Sequence, residues 1–201
     1  MRDFNAQSRA AYNRKADDYE NTTDGKFTRK FKTLLLEQVE INSNDAVLDV
    51  ACGNGLLLKM LAEKQVIKGF GIDIAENMIK NAKLNCPEMV FHVSGCEKIP
   101  LENASVDIIT VSAAYHHFPD VASFAKEAAR VLKPQGQIYI AEVWLPFIFR
   151  VLFNPFLPFM GSGDVKIYSP QEIIKTFESQ KFTTVKTLRK GKVQIIQMQK
   201  Q

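Results

Sequence analysis

The chain has 201 residues, of which 46% are apolar and 24% charged, with a formal net charge of +4. This is enough for one domain with a full hydrophobic core, and the scattered basic residues argue against a nucleic-acid-binding surface. The three cysteines lack zinc-ligand spacing, and the polar N-terminus lacks the apolar segment of a secretory signal, so we expect free thiols and a cytoplasmic location.

Two helices are predicted before the first strand. Phe4–Glu20 carries apolar and aromatic residues among charges and ends near the polar stretch 21–25. Lys26–Val39 places apolar residues on one face and basic residues on another. The basic face is expected to be solvated, although Arg29 or Lys30 could meet an acidic group of a substrate.

A short apolar strand, Ala46–Val50, is followed by small residues, two glycines and a predicted helix, Leu56–Lys64. Such a turn lets the backbone approach a ligand closely, and the helix N-terminus supplies unpaired N–H groups. A second predicted strand, Val66–Ile72, ends just before Asp73, whose carboxylate is placed to accept both hydroxyls of a ribose. The combination indicates a cofactor that contains a nucleoside.

The spacing disfavours a dinucleotide. Leu58 stands where the third glycine of G-x-G-x-x-G is needed. Asp49, at the end of the first strand, would repel a pyrophosphate but could anchor a cationic amino-acid group. A nicotinamide-dependent oxidoreductase and an ordinary strand-to-helix loop without a ligand are the alternatives at this point.

The stretch Asp49–Gly55 resembles motif I, D-x-[GA]-C-G-x-G, of the class I S-adenosylmethionine (SAM)-dependent methyltransferases. The resemblance implies that Asp49 lies near the methionine part of SAM, that residues 51–55 pass beneath it, and that Asp73 binds the ribose. It also implies an α/β fold with a doubly wound, mostly parallel seven-stranded sheet and helices on both faces.

A second motif follows the predicted third strand, Val90–Val93. Residues 94–101 resemble the family's G-D-A-E-x-L-P-F loop, with Cys96 and Glu97 at the A-E positions. Gly95 replaces the aspartate that usually accepts the adenine amino hydrogen. We therefore expect the affinity for SAM to be weaker by roughly 1 kcal/mol, the net contribution of one hydrogen bond.

Two further stretches are assigned by the same resemblance. Tyr12 and Tyr19 lie in a segment similar to that of UbiE-like (ubiquinone/menaquinone biosynthesis) methyltransferases, in which aromatic residues close over the cofactor. Their alternative role is to dock the first helix, since seven-residue spacing also suits packing. Ile74 and Met78, at the start of the predicted helix Ala75–Leu84, would lie near the adenine and ribose, with Met78 as a core residue the alternative.

A pair of histidines follows the predicted fourth strand, Val106–Ser112. The stretch resembles the HH-F/L-x-D motif of small-molecule class I methyltransferases, which implies that His116 and His117 lie at the reaction centre. An imidazole there could take a proton from the acceptor. The alternative is structural: one histidine caps the next helix, Val121–Leu132, and the other packs against the cofactor.

That helix ends at an L-K-P-x-G pattern, another resemblance to the family, before a predicted strand, Gln137–Val143. The aromatic, apolar stretch 144–160 follows, and its three prolines make it a poor membrane span. We expect it to cover the acceptor site, with a membrane contact, a dimer interface or plain core packing as alternatives. A helix near 169–180 and a hairpin, Phe182–Leu188 with Val193–Met198, complete the sheet.

The sequence therefore predicts a single-domain SAM-dependent methyltransferase that acts on a small, apolar or aromatic acceptor by direct in-line displacement and releases S-adenosyl-L-homocysteine. A non-catalytic SAM-binding or partner-binding module on the same fold is the alternative. The predicted parts are an N-terminal helical cap (1–43), a SAM-binding core (44–143), a hydrophobic lid (144–168) and a C-terminal helix with hairpin (169–201). Neither a metal ligand nor a nucleic-acid partner is expected. The catalytic candidates are His116 and His117, and the cofactor-binding candidates are Tyr12, Tyr19, Asp49, Ala51, Cys52, Gly53, Gly55, Asp73, Ile74, Met78, Gly95, Cys96, Glu97 and Ser112.

Overall fold

A seven-stranded mixed sheet forms the centre of the fold in the computed structural model, which describes residues 3–201. The first two residues of the predicted cap, 1–43, lie outside this range. In chain order the strands are β1 (Ala46–Val50), β2 (Lys68–Asp73), β3 (Val90–Val93), β4 (Val106–Ser112), β5 (Leu132–Val143), β6 (Phe182–Lys190) and β7 (Val193–Lys200). Their order in the sheet is β3-β2-β1-β4-β5-β7-β6. The pairings from β3 to β5 are parallel, and β7 is antiparallel to both β5 and β6.

Helices cover both faces of this sheet. They are α1 (Phe4–Lys15), α2 (Thr23–Gln38), α3 (Leu56–Lys64), α4 (Glu76–Asn85), α5 (Val121–Val131), α6 (Phe147–Phe153) and α7 (Pro170–Glu178), with short 3-10 helices at Ala16–Asn21, Tyr115–His117 and Leu157–Phe159. Successive strand residues point to opposite faces. Accordingly, Val47 packs in the cluster formed with α2, α3 and α4, whereas Leu48 packs with α5 and α7. Both residues are fully buried, which explains the continuous apolar run of β1.

The N-terminal helices have different limits from those predicted. α1 ends at Lys15 and continues as a 3-10 helix that contains the non-helical residue Asp18, instead of remaining α-helical. The Oγ1 of Thr22 accepts a hydrogen bond from the N–H of Gly25 at 3.0 Å. Because this cap satisfies an unpaired N–H group, α2 begins at Thr23, within the stretch predicted to be a loop.

Two strands also begin at different residues. β2 begins at Lys68, the first residue to pair with β1, while Val66 is 64% exposed. β5 begins at Leu132, which pairs with Val106, whereas the sequence predicted a turn until Gln137. The intervening residues form an irregularity in the register and include Gln135 at a φ of 65°. This bulge hides the strand from a pattern-based prediction.

α7 begins with a capping box. The Oγ of Ser169 accepts a hydrogen bond from the N–H of Glu172 at 3.2 Å, and the Glu172 carboxylate accepts one from the N–H of Ser169 at 2.8 Å. The same carboxylate accepts from Arg150 at 2.7 Å and from Lys166 at 2.6 Å. The start of α7 therefore also holds the segment that precedes it.

We expect Ser169→Ala to lower the free energy of unfolding by about 1 kcal/mol, because the first turn of α7 loses its side-chain cap. Ser179→Ala is the matched control, since the exposed Ser179 Oγ caps no N–H group of the first turn: it donates to the Thr176 carbonyl and accepts from the Nε2 of Gln180 at the other end of the helix. Urea unfolding measures both. Equal effects of the two substitutions would contradict a specific role for the capping box.

Candidate functional site

A cavity opens at the carboxyl ends of β1, β2 and β4, where ligands bind in open α/β sheets. Twelve of the sixteen predicted site residues line it. They are Tyr12, Tyr19, Asp49, Ala51, Cys52, Gly53, Asp73, Ile74, Met78, Cys96, Ser112 and His117. Outside the lining are Gly55, Gly95, Glu97 and His116.

The loop after β1 turns through left-handed backbone conformations. Ala51, Gly53 and Gly55 have φ angles of 58°, 54° and 79°. A Cβ added at Gly53 would meet no atom within 4 Å, whereas one at Gly55 would lie 3.2 Å from the Cβ of Ala82 in α4. Gly53 therefore keeps the backbone open towards the cavity. Gly55 instead allows close packing against α4 and does not line the cavity, so its contact with the cofactor stays a prediction.

The carboxylate of Asp73 connects two loops. It accepts hydrogen bonds from the N–H of Gly53 at 2.9 Å and from the N–H of Ala75 at 2.8 Å. Burial raises the pKa of this carboxyl to about 6, although the backbone hydrogen bonds act in the opposite direction. Each oxygen keeps a lone pair for a further donor, so Asp73 can also accept hydrogen bonds from hydroxyl groups of a ligand in the cavity.

Two buried side chains of opposite charge line the cavity near the end of β1. Asp49 accepts a hydrogen bond from the Oγ1 of Thr110 at 2.7 Å, and burial raises the pKa of its carboxyl to about 7. Lys32 of α2 is 7% exposed, and burial lowers the pKa of its ammonium group. A ligand with an amino-acid group fits this pair, because its ammonium can donate to Asp49 and its carboxylate can accept from Lys32.

Met78 and the loop that contains Gly95 and Glu97 are the next two features of the site. Met78 is 1% exposed and packs in a cluster that includes Tyr19. A Cβ added at Gly95 would lie 2.6 Å from the Oε2 of Glu97, so the Glu97 carboxylate occupies the space that a side chain at position 95 would use. The other oxygen of Glu97 is buried without a hydrogen-bond partner among the described residues.

The N-terminal aromatic residues close one side of the cavity. Tyr12 and Tyr19 have ring centroids 6.0 Å apart, and the Tyr19 hydroxyl lies 3.3 Å from the Oγ1 of Thr28. The Tyr12 hydroxyl lies 2.9 Å from the Nε2 of His117. These contacts join α1 and α2 to the loop after β4, so both tyrosines line the cavity and also dock the N-terminal segment.

The two histidines belong to a cluster with buried carboxylates. The Nδ1 of His116 lies 2.9 Å from the Oε1 of Glu142, which is fully buried. Asp164 lies beside both imidazoles. Neither histidine caps α5, because the carboxylate of Asp120 accepts from the N–H groups of Ala122 and Ser123.

The environments of the two imidazoles differ. Burial alone would lower the pKa of His116, but the adjacent Glu142 carboxylate raises it above its ordinary value. For His117, burial and the neighbouring His116 lower the pKa to about 4. His117 is therefore neutral near pH 7.

Some residues of both the cavity and the histidine cluster were not predicted from the sequence. Lys32 follows Thr28 by four residues and thus shares its helical face, a signal that it would be buried. Arg29 and Lys30, the basic residues considered from the sequence, are both exposed. Asp164 follows a glycine-containing stretch far from the histidines in the chain, and no local pattern indicated its position.

The apolar stretch 144–160 is exposed. Phe147, Phe156 and Met160 are 73%, 67% and 70% exposed, which rules out the alternative of core packing. None of the seventeen residues lines the cavity. The segment is tied to the stretch before α7 by Asn154, whose side chain donates to the carbonyl of Ile167 at 3.1 Å and accepts from its N–H at 2.9 Å. None of the helices in residues 3–201 has the length and apolar character needed to cross a membrane.

Known proteins that are similar to this chain include methyltransferases. Residues 48–140 match the model of a family described as Methyltransferase domain. The chain is 29% identical over 180 residues to a demethylmenaquinone methyltransferase of Chlorobaculum parvum, an alignment that covers 84% of this chain and 72% of the relative. It is 34% identical over 145 residues to the ubiquinone/menaquinone biosynthesis C-methyltransferase UbiE of Rickettsia typhi, covering 65% of this chain and 58% of the relative.

The fold also agrees with a solved methyltransferase structure. Geranyl diphosphate C-methyltransferase from Streptomyces coelicolor, in complex with Mg²⁺, geranyl diphosphate and S-adenosyl-L-homocysteine, superposes with a TM-score of 0.78 at 11% identity, with 100% of both chains covered. At this identity the likeness concerns the fold alone. The family match and the curated relatives go further, and they favour SAM over the nicotinamide cofactor considered as an alternative. Residues 48–140 therefore match a methyltransferase domain, and the chain as a whole is similar to class I SAM-dependent methyltransferases.

Proposed function

We propose that this methyltransferase transfers the methyl group of SAM to a small aromatic or otherwise apolar acceptor by direct in-line displacement. One observation carries the proposal: a single cavity is lined both by Asp49 and Asp73 and by the hydrogen-bonded pair Tyr12 and His117. The two carboxylates suit the cofactor, and the pair marks the place of the acceptor.

The chemistry of the lining fits SAM at its amino-acid and ribose ends. We assign the ammonium group of SAM to Asp49, its carboxylate to Lys32 and its ribose hydroxyls to Asp73. When bound, SAM supplies an electrophilic methyl group on a sulfonium, which the acceptor attacks as S-adenosyl-L-homocysteine leaves. The side chains of Asp49 and Lys32 are held by Thr110 and Thr28 before binding, so they need not be ordered when SAM enters.

The adenine end requires a different acceptor from the usual one. Because the Glu97 carboxylate fills the space above Gly95, we propose that Glu97 replaces the missing aspartate as acceptor for the adenine amino group. The buried, unpaired oxygen of Glu97 supports this assignment, since such an atom usually has a partner. Adenine would then lie against Ile74, Met78 and Cys96.

The acceptor end has a polar pair that can orient a ring. The Nε2 of His117 already contacts the Tyr12 hydroxyl, so we assign this pair to positioning the acceptor rather than to removing its proton. Positioning is a large part of catalysis for a displacement at a sulfonium methyl, because the reacting atoms must be close and in line. Excluding water from the pair strengthens its hydrogen bonds to the acceptor.

The exposed aromatic segment suggests the class of acceptor. We propose that residues 144–168 act as a lid on an acceptor with an apolar tail, while 1–43 serve as a cap over the SAM-binding core, 44–143, and 169–201 complete the sheet. Large exposed apolar patches usually mark interaction sites. Two relatives are named for methylation in menaquinone or ubiquinone biosynthesis, so a hydroquinone with a prenyl tail is the first acceptor to test.

The first test combines binding and turnover. We expect Asp73→Ala to weaken the binding of SAM and S-adenosyl-L-homocysteine at least tenfold, about 1.4 kcal/mol, in calorimetric titrations. Asp17→Ala, which changes an exposed aspartate of the Ala16–Asn21 helix, should leave the affinity unchanged. Circular dichroism checks that Asp73→Ala still folds, because Asp73 also holds two loops.

Turnover is measured with SAM labelled in its methyl group. We expect transfer to a prenylated naphthohydroquinone and less transfer to the same ring without a tail. SAM binding without transfer to either acceptor would contradict the proposed acceptor class. Absence of binding by SAM would contradict the cofactor site itself.

The affinity for SAM should rise with pH. Asp49 must be ionised to bind an ammonium group, and its pKa in the free protein is about 7. Binding therefore releases a proton from Asp49 below this pH, and we expect roughly a tenfold rise in affinity from pH 6 to pH 8. Lys32 and Asp73 also face Asp49, and Asp73, with a pKa of about 6, contributes in the same direction. In Asp49→Asn the affinity should be lower and its pH dependence weaker, whereas an unchanged slope would exclude Asp49 as the ammonium partner.

Glu97→Gln tests the adenine contact. A glutamine of the same length keeps the space above Gly95 filled but accepts more weakly than a carboxylate, so we expect SAM to bind about threefold to tenfold more weakly. Glu102→Gln, at an exposed position in the same connection, is the matched control. A titration with an analogue that lacks the adenine amino group should show no difference between wild type and Glu97→Gln. A persisting difference would mean that Glu97 acts elsewhere.

A further inference from the structure

Three side chains of the histidine cluster converge on one point. The Nε2 of His116 lies 3.4 Å from the Oδ1 of Asp164, and the Nδ1 of His117 lies 3.3 Å from the same oxygen. The candidate ligand atoms of the three residues all lie within 4.8 Å of one another. The side chains are 16%, 12% and 17% exposed, so the cluster is largely shielded from water.

The short contacts are not hydrogen bonds. The Nδ1 of His117 is buried and has no hydrogen-bond partner among the residues described, although Asp164 is close. The distances instead match the edges of a coordination polyhedron. In a tetrahedral zinc site with bonds of about 2.0–2.1 Å, ligand atoms are roughly 3.3–3.4 Å apart.

The other nitrogen of each imidazole is held by a fixed partner. The Nδ1 of His116 contacts the Glu142 carboxylate, and the Nε2 of His117 contacts the Tyr12 hydroxyl. Histidines that bind metals nearly always have such a second partner, which fixes the tautomer and turns the free nitrogen towards the ion. Both remaining nitrogens lie within 3.4 Å of the Oδ1 of Asp164.

The fold also fixes the carboxylate. The N–H of Val165 donates to the carbonyl of His116 at 2.8 Å, which ties the residue after Asp164 to the histidine loop. The Oγ of Ser162 donates to Asp164, and Gly163 packs so closely on Ser8 that a Cβ would clash. The cluster is thus a built site, assembled from the loop after β4 and the segment before α7.

We propose that His116, His117 and Asp164 bind a divalent transition-metal ion, with Zn²⁺ the best fit. Two imidazoles and one carboxylate suit Zn²⁺, Fe²⁺, Co²⁺ or Ni²⁺ better than Mg²⁺, which prefers oxygen ligands. Three protein ligands leave a coordination position open, as in catalytic zinc sites. His117 lines the cavity, so the proposed ion would lie at the edge of the cavity.

The ion would extend the proposed function, and this step rests on it. A hydroxyl of the acceptor bound at the open position would lose its proton more readily, because a metal ion stabilises the oxyanion. The ion would then supply the activation that the engaged His117 side chain does not. The substrate class that follows is a hydroxylated ring, such as a hydroquinone, whose oxygen can reach the metal.

The test uses metal alone, without SAM or acceptor. Tag-free protein freed of metal by a chelator is titrated calorimetrically with ZnCl₂, and we expect a single ion per chain. His116→Ala and Asp164→Asn should weaken this binding at least 100-fold, and Glu142→Gln about 10- to 100-fold. The matched controls are His92→Ala, which changes the half-buried histidine of β3, and Asp17→Asn, and both should bind as the wild type does.

Co²⁺ gives a second measurement that needs no variant. The wild type with Co²⁺ should show the intense visible absorption of four- or five-coordinate cobalt. Addition of SAM alone should not abolish this absorption. Absence of binding, or binding that Asp164→Asn leaves intact, would overturn the metal site. Either of these outcomes would leave the proposed SAM site standing. Loss of SAM binding in the Asp73 experiment would likewise leave the zinc titration unaffected, so the two proposals can be refuted separately.

Discussion

The carboxylate of Asp73 is the constraint on which the site depends. By accepting from the N–H groups of Gly53 and Ala75, it holds the loop after β1 against the start of α4. Burial disfavours its charged form, and these two hydrogen bonds offset part of that cost. The left-handed residues of the loop keep their positions because this bridge fixes both sides. One side chain thus shapes the floor of the cavity and supplies an acceptor to it.

The sheet was predictable because burial imposes simple patterns on it. β1, β3 and β4 have the predicted limits, since their apolar runs are bounded by turns. The errors arise where a local hydrogen bond or irregularity decides the structure. Thr22 caps α2 and extends it over a predicted loop, and the bulge at Gln135 hides the start of β5. Such choices depend on geometry that hydrophobic periodicity does not record.

The site was predictable only where function leaves a local motif. The glycine loop and Asp73 were found because a ligand needs open backbone and an acceptor at fixed strand ends. Lys32 was missed although it shares a helical face with Thr28, because a lysine on a basic helix usually faces solvent. Asp164 had no local signal at all. Its position follows from tertiary contacts with His116 and Ser8, which only the folded chain defines.

The acceptor end is therefore a product of four separate parts of the chain. α1 supplies Tyr12, the loop after β4 the histidines, β5 Glu142 and the segment before α7 Asp164. Asn154 ties the exposed aromatic residues to this last segment through the backbone of Ile167, three residues after Asp164. In the proposed function, the lid and Asp164 therefore belong to the same stretch of chain, 144–168. The proposed lid would thus act on the acceptor site without contributing a side chain of 144–160 to the cavity.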